Sequence, residues 1–110
     1  MHVLTLISKI VDDASNTLSH FDCWEDDEKV CYSGEIITEE VMDILDVDDV
    51  NSDCVVAFKA DENNYFGIDT IEYNNNIYDV SKVINEYVES QGLEDIYHRL
   101  CEEAVNLAVL

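Results

Sequence analysis

No proline occurs in the chain, glycine occurs three times, and only Lys9, Lys29, Lys59, Lys82 and Arg99 carry a fixed positive charge. Without proline or a Gly/Ser-rich tract there is no linker, and no period of about 20 to 50 residues repeats, so a single domain is expected. A length of 110 residues agrees. Five dispersed cations cannot neutralise a run of phosphates beneath 26 carboxylates, which excludes direct binding of DNA or RNA. The same imbalance repels an anionic membrane surface, and no apolar run approaches the roughly 18 residues of a membrane-spanning helix. The first ten residues lack a basic leader followed by an unbroken apolar stretch, so a cytoplasmic setting is expected, in a host cell if the chain is viral.

What is present can fold. Apolar side chains make up 47% of the chain, with 13 Val, 10 Ile and 8 Leu to fill a core. The formal net charge is -21. Adaptation to a salt-saturated cytoplasm would produce such acidity, but ten Ile, nine Asn and four Cys speak against it. Cys23, Cys31, Cys54 and Cys101 sit among apolar or aromatic neighbours, and with aliphatic residues enough for a core they are expected as free buried thiols rather than as disulfides.

Residues 3–18 place Val3, Ile7, Ile10, Ala14 and Leu18 on one face at helical spacing, which predicts a first helix ending before His20. Thr38 is expected to cap a second helix that ends by Val50, with Val41, Ile44 and Leu45 inward and Glu39, Glu40, Asp43 and Asp46 outward. Residues 54–58 and 65–73 read as antiparallel strands joined through Asp61, Glu62, Asn63 and Asn64. A third strand at Ile77 and Tyr78 follows three asparagines that tolerate left-handed backbone. Residues 21–24 and 30–32 form either another hairpin around Glu25, Asp26, Asp27 and Glu28 or an exposed loop. Val80, Val83, Ile84, Tyr87 and Val88 mark a third helix stopped at Gly92. Leu93, Ile96, Tyr97, Leu100, Cys101, Ala104, Leu107 and Ala108 mark a fourth. The class expected is α+β, a small antiparallel sheet with the N-terminal and two C-terminal helices packed against it.

Chemistry-bearing motifs are scarce. Residues 46–51 and 61–67 each begin like a calcium loop, but Val50 and Tyr65 fall at ligand positions and neither segment has glycine at the sixth place. His20 with Cys23 and His98 with Cys101 are spaced to chelate zinc, yet Cys101 already belongs to an apolar stripe, so no metal is expected. The chain contains no nucleotide-binding glycine loop and no serine nucleophile motif, and a negative surface opposes thiolate formation. Neither catalysis nor a cofactor is expected.

Carboxylates instead recur in every segment, and such self-repulsion exceeds what solubility needs. A sphere with the radius of gyration of about 13 Å expected for this length is about 34 Å across. On that scale a charge of -21 matches the roughly one charge per 1.7 Å of duplex DNA. In size, charge and lack of catalytic motifs the whole chain resembles small acidic DNA-mimic inhibitors, such as phage anti-restriction and anti-CRISPR proteins and the viral inhibitors of uracil-DNA glycosylase or nucleoid proteins. The resemblance implies a non-enzymatic inhibitor seated in the nucleic-acid channel of a basic host or defence protein, and a homodimer is compatible with it. The expected contact residues are Glu25, Asp26, Asp27, Glu28, Glu39, Glu40, Asp43, Asp46, Asp48, Asp49 and Asp53, with Trp24 or Tyr32 as an apolar anchor. Asp43→Asn, Asp46→Asn and Asp49→Asn together are expected to spare stability. The alternative is an acidic adaptor or antitoxin-like module that binds a basic partner without mimicking nucleic acid.

Overall fold

The computed structural model describes residues 2–16, 21–24, 29–34, 38–47, 54–73 and 75–108. In chain order these form α1 (Val3–Asn16), β1 (Phe21–Trp24), β2 (Lys29–Gly34), α2 (Thr38–Leu45), β3 (Cys54–Ala60), β4 (Phe66–Tyr73), β5 (Asn76–Asp79), α3 (Ser81–Ser90) and α4 (Glu94–Ala108). The five strands are an antiparallel sheet in the order β1-β2-β3-β4-β5. The α+β expectation therefore holds, and the undecided N-terminal segment is a hairpin in which Cys23 pairs with Val30 and Trp24 with Lys29.

Alternation of side chains across the pleat gives the sheet one apolar face. Tyr32, Val56 and Ile71 form one cross-strand row on it, and Val30, Phe58 and Ile68 form the next. All six are buried in the core. Ile68 and Ile71 are three residues apart, a spacing that strict alternation would place on opposite faces. A β-bulge reconciles them: Ala57 pairs with Thr70 and Phe58 with Ile68, which leaves Asp69 as the extra residue. The Asp69 carbonyl instead accepts the Val80 N–H at 3.2 Å and so fixes the approach of α3.

The helices cover this face. On α1, Val3, Leu6, Ile7, Ile10 and Val11 are buried at the expected spacing, and each such side chain contributes about 1.5–3 kcal/mol by burial. This helix packs chiefly against α4 and secondarily against α2, while α3 and α4 lie against β4. Tyr97, Cys101, Ala104 and Val105 carry α4 into the core. Ile96 and Val83, expected inward, are substantially exposed. Cys31, Cys54 and Cys101 are buried and belong to no disulfide, and the side chain of Cys23 lies outside the described set.

Beyond the end of β5, the outer edge of β4 would expose backbone polar groups. There α4 takes the place of a missing strand: the Ile68 N–H donates to Tyr97 Oη at 2.8 Å, and His98 Nδ1 lies 2.9 Å from the Phe66 carbonyl. Residues 66 and 68 face the same edge, so two adjacent side chains of one helix satisfy both groups.

Candidate interaction surface

The acidic stretch that attracts attention in the sequence is only partly an outward row. On α2, Glu39 and Asp43 are exposed, four residues apart on one face. Asp46 is exposed but lies past the helix end. Its φ is 55°, and the Val47 N–H returns to the Met42 carbonyl at 3.1 Å, so the helix closes in a left-handed cap after Leu45, within the expected bound of Val50. Thr38, expected as the cap, is the first residue of the helix.

Glu40 is a correction to the expected contact set. It is 5% exposed because α1 packs beside α2, and its Oε1 meets Lys9 Nζ at 2.7 Å. The hydrogen bond that Lys9 donates to Glu40 raises the Lys9 pKa, with partial desolvation opposing and the Glu40 and Glu39 charges adding to it. Glu40 Oε2 is enclosed without a hydrogen-bond partner. Asp43 also serves the fold, since its Oδ2 accepts the His2 N–H at 3.0 Å at the start of α1, where the helix dipole favours an anion. The Asp43→Asn component of the triple substitution is therefore not neutral. Tyr32, proposed as an exposed anchor, is fully buried with its hydroxyl donating to Asp13 Oδ2 at 2.5 Å, and burial followed by that bond raises its pKa. Glu25, Asp26, Asp27, Glu28, Asp48, Asp49 and Asp53 lie outside the described residues, as does the side chain of Trp24.

Exposed carboxylates also stud the C-terminal helices, with Glu86 and Glu89 on α3 and Glu94, Asp95, Glu102 and Glu103 on α4. Zinc chelation by His98 and Cys101 does not fit the geometry, because Cys101 is fully buried in the core, which pushes its thiol pKa up. Among the described residues no three His, Cys, Asp or Glu side chains are grouped to hold a metal ion.

The sequence reading missed a cleft of about 300 Å³ where β3, β4, α3 and α4 meet. Lys59, Asp61, Tyr65, Asp69, Asn85 and His98 supply its functional groups. Asp61 Oδ1 accepts the N–H groups of Asn63 and Tyr65 at 2.8 and 3.0 Å and holds the hairpin that presents Tyr65. Tyr65 is 56% exposed, and its ring centroid lies 5.4 Å from that of His98. The lining residues are up to 39 positions apart, so no local motif announces them. Comparison with protein-family models, with characterised proteins and with solved structures finds no match to this chain.

Proposed function

We propose that the protein is a non-enzymatic inhibitor whose carboxylates stand in for phosphates in the nucleic-acid channel of a basic host or defence protein. One observation carries the reading, the match between charge and dimension. The molecule measures 34 × 33 × 26 Å and carries a formal charge of -21. A duplex about 34 Å long carries roughly 20 phosphate charges. Exposed carboxylates occur on all four helices, at Asp12, Glu39, Glu86 and Glu102 among others, so the charge clothes a folded body rather than a tail.

Association is expected to be fast and salt-sensitive through electrostatic steering. The test is capture of basic proteins on the immobilised chain from a lysate of the organism that encodes it or of its host, with and without excess duplex DNA. Displacement of captured nucleic-acid-binding proteins by the duplex supports mimicry. Retention of the same proteins at saturating duplex overturns it and favours the acidic adaptor.

A further inference from the structure

We infer that the cleft between β4, α3 and α4 receives the guanidinium group of one arginine side chain presented by a protein partner. The inference deepens the proposed function, since it rests on that partner being basic. A cleft of about 300 Å³ lies at the small end of ligand pockets, with room for a single side chain rather than a large cofactor.

The sign of the ligand follows from the lining. Asp61 and Asp69 outnumber Lys59 there, and the whole chain is strongly anionic. The neighbouring N-terminus of α3 is already occupied by an anion, because Asp79 Oδ1 accepts both the Ser81 N–H and the Ser81 hydroxyl, at 3.2 and 2.9 Å. An anionic ligand would meet repulsion and a capped helix end.

His98 sharpens the choice. The Phe66 carbonyl can only accept, so Nδ1 carries the proton, and in the neutral ring Nε2 is left as an acceptor. The Asn85 side chain adds an amide oxygen, and Tyr65 adds an exposed ring face close to the imidazole. Acceptors beside an aromatic face suit guanidinium, which is planar, weakly hydrated and able to stack while donating in its plane. A compact, strongly hydrated ammonium uses such a wall less well.

The test needs no partner. N-acetyl-arginine methylamide and its lysine counterpart are titrated into the isotopically labelled protein at 150 mM NaCl, and backbone amide shifts are followed. The expected result is saturable movement of Gly67, Ile68, Asp69 and Asn85 signals by the arginine compound, with a dissociation constant on the order of millimolar. The lysine compound should bind at least about fivefold more weakly. Asn85→Lys, an exposed change that fills the cleft with a cation, should weaken arginine binding at least about tenfold, whereas Glu103→Gln alters net charge equally and should leave it unchanged. Non-saturating shifts spread over α2 and α4, equal binding of the two compounds, or an Asn85→Lys variant that binds normally would each overturn the assignment. Those results leave the duplex competition untouched, and a failure of duplex competition leaves the arginine titration standing, so the two ideas fail separately.

Discussion

Glu40 shows how far a helical wheel can mislead. On a wheel it falls beside Glu39 and reads as solvent-facing, and only Lys9, 31 positions away on another helix, explains its burial. A buried carboxylate tolerates loss of its counter-charge poorly, whereas a half-exposed ammonium can recover water. Lys9→Met should therefore lower the urea midpoint more than Glu40→Met does, and the double methionine variant should lie within about 1 kcal/mol of the parent. Equal penalties for the two single changes would show that the pair is not desolvated as described. A second coupling involves Gly67, where a Cβ would approach Tyr97 Oη to 3.2 Å. Gly67→Ala should cost about 1–2 kcal/mol by crowding that hydroxyl, and Tyr97→Phe about 1–3 kcal/mol by stranding the Ile68 N–H. Since the crowded atom is the one that phenylalanine lacks, the double variant should cost less than the two penalties together, which a denaturation cycle measures directly.

The two helix ends make opposite predictions from one geometry. After α3, Gly92 sits at φ 66°, with its N–H on the Glu89 carbonyl and the Leu93 N–H on the Val88 carbonyl, at 3.1 and 2.9 Å. Gly92→Ala should destabilise by about 1 kcal/mol. After α2 the same role falls to Asp46, an L-residue with an anionic side chain at the negative end of the dipole, so Asp46→Gly should stabilise by about 0.5–1 kcal/mol. Thermal melts of the two variants should move in opposite directions. Gly92 announces its cap in the sequence, and the α3–α4 boundary falls where periodicity and that glycine place it. Asp46 carries no such signal, which is why the sequence places it on the outer face of α2 rather than in its cap. The hairpins around Asn64 and Asn75 are legible because asparagine accepts their φ values of 65° and 64°. The bulge at Asp69 is not legible, since pairing with β3 alone reveals it, and the cleft depends on that same region of β4.

High charge makes the molecule respond to its medium in two predictable ways. Screening weakens repulsion among exposed carboxylates, so raising NaCl from about 20 to 500 mM at neutral pH should raise the melting temperature. A fall would mean that specific surface ion pairs dominate. Alkali acts through the core. The Cys101 thiol and Tyr97 phenol have ordinary values of 9.0 and 10.0, and burial, the first cause for each, raises both in the folded state. Below pH 9 both states hold these protons and the stabilisation is complete. Above it the unfolded chain releases them first, so stability should fall as pH rises, by up to about 1.4 kcal/mol per pH unit for each group. Tyr97→Phe combined with Cys101→Ala should flatten that alkaline limb in urea titrations from pH 8 to 11. The packing of α1 on α4 has a further consequence, for the order of events during synthesis. Helix α1 leaves the ribosome well before α4, its main partner, so Leu6, Ile7 and Ile10 lack their chief cover until translation has passed Cys101. Hairpin pairing between β3 and β4 can proceed in the meantime, but the core closes only when α4 arrives.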